Sequence, residues 1–298
     1  MNHFQKSFST CLLAVAALLA GASPAWAQVS LGTASGFSVL GGTNVTCTAG
    51  VVIGDVGVSP GSAVPFTNTG CTIVGAMPPA TNAAAALART AFLSAYTAAR
   101  SVPCTQTLLS TITGPVTLAP GVYCTDAALT GTGVLTLDGG GDANAVWIFK
   151  IGTLATGALT GTNFSVVMAG GGQPCNVFWA PSAGVTMTTS ALVGNILAGD
   201  AIDGSITLTG GTVAGRALAN VAVTMTGASV IGCGALSVPD PTSCKDRDHH
   251  GHHHDKDHKK CDRDSGKHRD CDEPRSGHLN PFSSNDKDGK SNSKGGKR

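Results

Sequence analysis

The carboxylates and histidines of this sequence are the first candidates for catalytic chemistry. Within residues 28–239, close carboxylates occur twice: Asp200 with Asp203 in GDAIDG, and Asp138 with Asp142 in LDGGGDAN. Two carboxylates are the minimal machinery of a glycosidase, but aspartate in glycine-rich stretches commonly shapes turns through its own backbone. The same residues contain no histidine, which excludes Ser-His-Asp and Cys-His catalysis there. We therefore expect no enzyme activity.

Histidines concentrate instead near the C-terminus, in the tract DHHGHHHDKDHKKC. Clustered imidazoles bind Zn, Ni or Cu ions. The candidate ligands are His249, His250, His252, His253 and His254. Because such a tract binds these metals without selectivity, we expect adventitious metal at most and no resident cofactor. The alternative roles are a charged spacer or a contact segment for a cell-surface polymer.

Cysteines number ten, of which six lie within residues 28–239. An even set in an exported chain indicates disulfide bonds. Six cysteines allow 15 pairings, which sequence alone does not resolve. We expect Cys47–Cys71 and Cys104–Cys124, since each pair joins neighbouring segments. The six candidates are Cys47, Cys71, Cys104, Cys124, Cys175 and Cys233.

The N-terminus has the features of a secretory signal peptide, which we place at residues 1–27. Lys6 supplies the positive segment, residues 11–22 the apolar segment, and Ala25-Trp26-Ala27 a cleavage site of the A-x-A type. About twelve apolar residues are too few to span a bilayer, so we expect no membrane span. The sequence therefore predicts a secreted, extracellular protein, with association to the cell surface as a further option.

Charge divides the remaining chain into a domain at residues 28–239 and a tail at 240–298. The domain carries only ten charged residues, and its four scattered cations cannot form the basic face that a nucleic-acid partner requires. It is rich in Val, Ile, Leu and Ala and long enough to bury one core. The tail is His-rich, alternates in charge sign and has almost no apolar residues, so we expect it to be disordered.

Short segments of similar amino-acid sequence repeat along the domain and indicate its architecture. Each begins with Thr and ends with Gly, and successive starts lie 17 or 21 residues apart within two runs. The segments are TAGVVIG, TGCTIVG, TTSALVG, TGGTVAG and TGASVIG. A period near twenty residues is typical of a solenoid, in which each coil buries its apolar face on the next. A β-sandwich with glycine-rich turns is the alternative.

One segment breaks this pattern, since residues 80–100 are alanine-rich and free of Gly and Pro. Alanine favours helix formation, and we expect a helix lying along one face of the solenoid. Its narrow apolar stripe would consist of small side chains and one leucine. The predicted stripe is Leu87, Ala91, Ser94, Ala95 and Ala98.

From about Leu31 to Ile231 the sequence resembles the ice-binding-protein-like family of secreted microbial proteins, also called the DUF3494 domain. The segments that carry the resemblance are LGTASGFSVLGGTNVT, GDVGVSPGSAV, LTLDGGGDANAVWIFKIG, CNVFWAPSAG, VGNILAG and GRALANVAVTMTG. The resemblance implies an all-β fold: an irregular, discontinuous β-solenoid with one long α-helix packed alongside. It also implies that the segment before the helix supplies the coils at one end.

The resemblance further implies ice binding through one flat solenoid face, where some family members carry a T-A/G-x-T/N motif. Here this motif occurs in complete form only at residues 69–72, 160–163 and 209–212, so we expect an interrupted array. The candidate ice-binding residues are Thr69, Thr72, Thr160, Asn163, Thr188, Thr209, Thr212, Thr226 and Ser229.

A threonine array suits ice because each side chain offers a hydroxyl and a methyl on a stiff rotamer. We therefore predict a monomeric, non-catalytic antifreeze protein with an ice crystal surface as its partner, and ice recrystallisation inhibition as its main activity. The alternative is an extracellular adhesion or envelope-matrix protein on the same scaffold without ice affinity.

Overall fold

A computed structural model of the protein describes residues 29–59, 66–78 and 82–233. The predicted signal segment, the tail and its five candidate histidines lie outside the described residues. Before the helix, short 3-10 helix Gly32–Gly36 is followed by six strands. These are β1 (Phe37–Gly41), β2 (Asn44–Thr48), β3 (Val51–Ile53), β4 (Asp55–Val58), β5 (Phe66–Thr69) and β6 (Thr72–Val74).

Helix α1 (Asn82–Ser101) separates these strands from sixteen further strands, with 3-10 helix Pro174–Asn176 between β15 and β16. The strands are β7 (Gln106–Thr107), β8 (Thr111–Ile112), β9 (Val116–Leu118), β10 (Gly121–Thr125), β11 (Leu129–Gly131), β12 (Val134–Asp138), β13 (Trp147–Ile151), β14 (Leu159–Thr162), β15 (Ser165–Ala169), β16 (Val177–Pro181), β17 (Val185–Thr188), β18 (Ala191–Ala198), β19 (Ile206–Thr209), β20 (Thr212–Ala219), β21 (Ala222–Thr226) and β22 (Ser229–Ile231).

The strands stack in parallel register as the coils of a β-solenoid with three faces. One face is an eight-stranded sheet in the order β5-β2-β21-β19-β17-β14-β11-β8. The other two faces belong to a 14-stranded sheet. That sheet turns a corner inside β18 and β20, at Gly194 and Gly215, where positive φ angles of 107° and 156° suit glycine.

The coils do not follow chain order along the stack, which confirms the predicted discontinuous solenoid. Strands β2 and β3, from the segment before the helix, pair with β21 and β22 of the last coil. Strands β7 and β8, which follow the helix, lie at the opposite ends of their sheets. The helix therefore carries the chain back from one end of the stack to the other.

Helix α1 covers one face of the 14-stranded sheet, which we call the helix-covered face. Its buried side chains are spaced three and four residues apart and form one stripe. They are Ala85, Ala88, Phe92, Ala95 and Ala99. They pack on outward apolar side chains of five successive strands, namely Val122, Ile148, Phe178, Leu197 and Leu218.

The predicted helical stripe was therefore wrong at Leu87, Ser94 and Ala98, whereas Ala95 is buried and Ala91 packs at the edge of the contact. Leu87 is 67% exposed, and Ser94 and Ala98 are also exposed. The large ring of Phe92 decides the orientation, because burying it removes far more apolar surface from water than burying any single alanine. Small residues lie on every side of this helix, so the alanines alone do not mark the buried side.

Arg100, in the last turn of α1, fastens the helix to the sheet. Its Nη1 donates to the carbonyl oxygens of Ile151 at 3.0 Å and Ala180 at 2.8 Å, and its Nη2 donates to that of Gly152 at 2.8 Å. These carbonyls belong to the ends of two neighbouring strands and the turn after one of them. The guanidinium therefore ties the helix to β13 and β16 together.

Replacing Arg100 with Met keeps the aliphatic stem but removes all three hydrogen bonds. We expect the free energy of unfolding to fall by about 3 kcal/mol, which lowers the midpoint of thermal unfolding by roughly 10 °C for a domain of this size. Differential scanning calorimetry measures this, with Arg100→Lys, which retains the charge but only one donor nitrogen, as the intermediate control. A midpoint within 2 °C of wild type for Arg100→Met would show that the contacts do not hold the helix.

Candidate functional site

The outer surface of the eight-stranded sheet carries two parallel rows of threonines, and we call it the threonine face. Every strand of the sheet contains at least the first threonine of a Thr-x-Thr pattern. The first row is Thr67, Thr46, Thr224, Thr207, Thr186, Thr160, Thr130 and Thr111, in spatial order. The second row is Thr69, Thr48, Thr226, Thr209, Thr188, Thr162, Thr132 and Thr113, the last two lying just beyond their strands.

The threonines point outward because the residues that alternate with them are buried. Successive side chains of a strand face opposite sides, and Val45, Val223, Ile206, Val185 and Leu159 all have their side chains in the solenoid core. None of the sixteen threonines is buried. The alternation of threonine and apolar residues along each strand thus determines which side chains are exposed to solvent. Packing of the apolar residues in the core holds the backbone of the strand in place.

The two rows form a lattice because the sheet keeps its register. Thr46 pairs with Thr67 and Thr224, and Thr48 pairs with Thr69 and Thr226, and the pairing continues strand by strand to Thr162. No register shift interrupts these pairs, in contrast to the irregular pairing of β1 with β4. Neighbouring strands lie about 4.8 Å apart and alternate residues about 6.6–7 Å apart along a strand, so hydroxyls and methyls repeat in two dimensions.

Phe164 supports the threonine face from beneath at the strands where glycine replaces the inward apolar residue. The ring is fully buried, and a Cβ added to Gly131 would lie 2.6 Å from it. Gly161 has the same constraint, since an added Cβ would lie 2.5 Å from the sulfur of Met187. A side chain at Gly131 would overlap the Phe164 ring, whereas one at Gly161 would displace the side chain of Met187.

Two disulfide bonds are present, and both are the expected pairs. Cys47, which lies between Thr46 and Thr48 on the inward side of the sheet, bonds to Cys71. Cys104 bonds to Cys124 across the coil that follows the helix. The remaining two candidates, Cys175 and Cys233, are free thiols in the structure.

No charged residue belongs to the eight strands of the threonine face. The four cations of the domain are engaged elsewhere: Arg100 on strand carbonyls, Lys150 on the carbonyl of Val102 at 2.7 Å, Arg89 on Asn220, and Arg216 on the carbonyl of Ser35. The eight strands are thus uncharged, and no charged side chain on them governs the hydration of the face.

The structure places five of the nine candidate residues on the threonine face and four elsewhere. On the face are Thr69, Thr160, Thr188, Thr209 and Thr226. Thr72, Thr212 and Ser229 begin strands β6, β20 and β22 of the uncovered face of the 14-stranded sheet, which we call the third face. Asn163 lies at the corner after β14 with φ 50°.

Candidate residues at the end of the four-residue motif lie off the threonine face because the motif spans the corner between two faces. The residue after a second-row threonine has positive φ in six coils, which turns the chain through a sharp angle and favours glycine. These residues are Ala49, Gly70, Asn163, Thr189, Gly210 and Gly227. The motif at 160–163 is displaced by two residues, so that its last residue occupies the corner itself.

Eleven threonines of the face were missed, although the sequence contains a signal for them. The signal is Thr-x-Thr, repeated once in each coil, rather than the motif that crosses the corner. The missed residues are Thr46, Thr48, Thr67, Thr111, Thr113, Thr130, Thr132, Thr162, Thr186, Thr207 and Thr224. The expectation of an interrupted array was therefore wrong, because the rows are continuous.

The third face has a different chemistry from the threonine face. Its outward positions are largely aliphatic, and Val51, Val74, Val134 and Val167 are each between 37% and 59% exposed. Its strands also include a carboxylate, Asp138, at the end of β12. Hydroxyl rows therefore occur on one face of the solenoid and not on its neighbour.

The paired carboxylates act as turn residues. Asp138 accepts a hydrogen bond from the backbone N–H of Gly140 at 2.9 Å, and Asp142 accepts one from Asn144 at 2.8 Å. Asp200 accepts from the backbone of Asp203 and Ile202, and these bonds lower its pKa. A carboxylate whose pKa is lowered in this way is unsuited to act as a general acid.

Neither a metal-ligand cluster nor a membrane-spanning helix occurs among the described residues. No group of three or more His, Cys, Asp or Glu side chains is placed to hold a metal ion. None of the described helices combines the length and apolarity that crossing a membrane requires. Among the surfaces described above, the threonine face is the candidate functional site.

Comparison with known proteins identifies one family and several ice-binding proteins that this chain resembles. Residues 39–231 match the Ice-binding-like family. An ice-binding protein of Nostoc sp. (strain HG1) is 42% identical over 65% of this chain and 71% of its own length. One from Flavobacterium frigoris (strain PS1) is 31% identical over 66% of this chain and 74% of its own. The crystal structure of an ice-binding protein from Antarctomyces psychrotrophicus superposes with a TM-score of 0.60 and 31% identity, covering 68% of this chain and 97% of that one.

Proposed function

This chain belongs to the Ice-binding-like family, and we propose that it binds ice crystals non-catalytically through the threonine face. The observation that carries the proposal is the unbroken register of the two threonine rows. The known relatives described above are all named for ice binding, and none of them favours the adhesion or envelope-matrix alternative.

The lattice binds ice by ordering water rather than by direct chemistry. Each threonine anchors a water molecule through its hydroxyl, while its methyl confines the neighbouring waters. Bridging water is enthalpically nearly as good as a direct hydrogen bond, and the rigid sheet fixes the spacing of these waters in advance. The ordered layer can then merge with the crystal at little further entropic cost.

The absence of charge from the eight strands supports the same mechanism. A charged side chain orients water around itself and holds a hydration shell that does not match a crystal. Salt would also screen adsorption that is driven by charge. It would not screen adsorption through a lattice of hydroxyl and methyl groups. Adsorbed protein curves the growing crystal surface between binding sites, so ice recrystallisation inhibition is the expected activity.

The remaining parts of the proposal concern how the protein is deployed. Residues 1–27 would direct secretion, and the chain would act outside the cell as a monomer. The tail at 240–298 would be a charged spacer or a contact segment for a cell-surface polymer, and its histidines would bind Zn, Ni or Cu only adventitiously. The basis for these points is sequence composition.

The direct experiment is ice-affinity partition of the purified full-length protein. A polycrystalline ice shell is grown slowly from a dilute solution, and protein is quantified in the ice and in the remaining liquid. We expect the protein to be enriched in the ice, whereas an added albumin control stays in the liquid. Exclusion of the protein to the same extent as albumin would refute ice binding.

Ice binding should also be nearly independent of pH. The eight strands of the threonine face contain no group that titrates between pH 4 and 9, so its hydration stays constant. The lowest concentration that inhibits ice recrystallisation should vary by less than about twofold over this range, as measured in buffers of matched ionic strength. A tenfold change, with unaltered circular dichroism, would indicate that an ionisable group contacts the crystal.

A further inference from the structure

Two cysteines that belong to neither disulfide meet at the corner between the third face and the helix-covered face. Cys175 lies in the 3-10 helix Pro174–Asn176, and Cys233 follows β22 by two residues. Both contact the side chain of Asn195, Cys175 through its carbonyl oxygen and Cys233 through its sulfur, and each thiol affects the pKa of the other. They are 58 residues apart in the sequence, so the folding of three intervening coils brings them together.

Asn195 and Arg216 hold the two thiols in place, and we call these four residues the thiol cluster. Asn195 Nδ2 donates to the carbonyl oxygen of Cys175 at 2.9 Å, and its Oδ1 lies 3.9 Å from the sulfur of Cys233. Arg216 Nη1 donates to the same Oδ1 at 2.9 Å. Arg216 is itself anchored on the carbonyl of Ser35 at 2.8 Å. The geometry of the pair is therefore fixed from both sides.

One thiol of the cluster is accessible and the other is not. Cys175 lines an open cavity of about 390 Å³, together with Arg216, Phe178 and Leu31. Cys233 is buried. The hydrogen bond from Cys233 lowers the pKa of Cys175 to about 6, with help from the Arg216 guanidinium, while the pKa of Cys233 is raised. The accessible sulfur is thus the nucleophile, since the thiolate is the reactive form.

We propose that Cys175 and Cys233 are a thiol–disulfide couple, which a small disulfide such as oxidised glutathione converts into a third intrachain disulfide. The Cys175 thiolate attacks one sulfur of the small disulfide, whose S–S bond breaks and releases one thiolate. Cys233 then attacks the Cys175 sulfur of the mixed disulfide and releases the second. The protein is oxidised by two electrons, the small disulfide is reduced, and the two thiol protons pass to the released thiols.

The bond would close the part of the solenoid that runs from the start of β16 to the end of β22. These strands include three of the eight that build the threonine face, namely β17, β19 and β21. Cross-linking a span of this length removes conformations from the unfolded chain. We expect the midpoint of thermal unfolding to rise by about 10 °C on oxidation, independently of whether the protein binds ice.

Peptide mapping of the full-length protein tests the proposal. The protein is incubated with oxidised glutathione, free thiols are alkylated, and the tryptic peptides are analysed without reduction. We expect a cross-linked peptide that joins Cys175 to Cys233, and a thermal midpoint that returns to its starting value after dithiothreitol. A variant with Cys244→Ser, Cys261→Ser and Cys271→Ser should behave identically, because the tail thiols take no part.

Single replacements distinguish the two roles. Cys233→Ser should accumulate a glutathione adduct on Cys175 and gain no stability, and Cys175→Ser should remain largely unmodified at Cys233. In wild type, alkylation of Cys175 by iodoacetamide should rise with pH around a midpoint near 6. Recovery of both cysteines as separately alkylated peptides after oxidation, or pairing of either one with a tail cysteine, would overturn the proposal.

Discussion

Thr209→Tyr is expected to weaken ice recrystallisation inhibition more than tenfold, whereas Thr212→Tyr should retain activity within about twofold of wild type. Thr209 lies in the second row of the threonine face, between Thr226 and Thr188. A tyrosine ring there projects several ångströms beyond the lattice and prevents the neighbouring rows from reaching the crystal. Thr212 is only three residues further on, but it lies around the corner on the third face.

The pair is closely matched, because both threonines are exposed and both end or begin a strand of the same coil. Inhibition is measured as the lowest protein concentration that stops coarsening of ice grains, and we expect that concentration to rise more than tenfold for Thr209→Tyr. Circular dichroism and the thermal midpoint should be unchanged in both variants. Equal loss in both, or loss in Thr212→Tyr alone, would place the ice contact on another surface.

Phe164→Ala is expected to lower the free energy of unfolding by about 4 kcal/mol, which reflects the lost apolar burial and the cavity beneath the threonine face. Phe164 is fully buried, and its ring fills the space under Gly131. Chemical denaturation with urea measures the change, and Phe164→Leu, which retains most of the apolar volume, should cost roughly 1–2 kcal/mol.

A double-mutant cycle shows whether the ring and the glycine are coupled. Gly131→Ala should destabilise the wild type by 1–3 kcal/mol, because its Cβ would overlap the Phe164 ring. In the Phe164→Ala background the same change should cost much less, since the cavity accommodates the methyl group. Additive effects of the two substitutions would show that the ring does not support this part of the sheet.

Sequence was sufficient to predict the solenoid and the two disulfides because both depend on patterns that recur along the chain. A period near twenty residues marks the coils whatever their exact register, and Cys47–Cys71 joins segments that are neighbours in the repeat. The resemblance to a known family supplied the discontinuous order of the coils. That order depends on which strand edges meet at the end of the stack, and short local patterns do not encode it.

The orientation of individual side chains was harder to predict. The motif that begins at Thr209 looks like a unit of surface, but its two threonines lie on different faces because Gly210 has a φ of 64°. Gly211 also has a positive φ of 73°, so two successive left-handed residues redirect the chain, and the sequence alone does not show that the corner falls between the two threonines. In α1, similarly, alanines lie on every side, and the contact of Phe92 with the sheet decides the buried side.

The proximity of Cys175 and Cys233 could not be predicted from the sequence either. The expected disulfides join cysteines 20 and 24 residues apart, about one coil. Cys175 and Cys233 meet only because Cys233 reaches back towards Asn195, two strands away in the sheet order. Such a contact depends on the path of the chain as it leaves the stack, which the repeat does not specify.

Ice-affinity partition of three tyrosine variants, one for each face, tests the central claim most directly. Thr207→Tyr alters the first row of the threonine face, Val167→Tyr the third face, and Leu87→Tyr the exposed side of the helix. If the threonine face binds ice, the Thr207→Tyr protein alone should stay in the liquid, while the other two variants should enter the ice as wild type does. Entry of Thr207→Tyr into the ice, or exclusion of either of the others in a folded state, would contradict it.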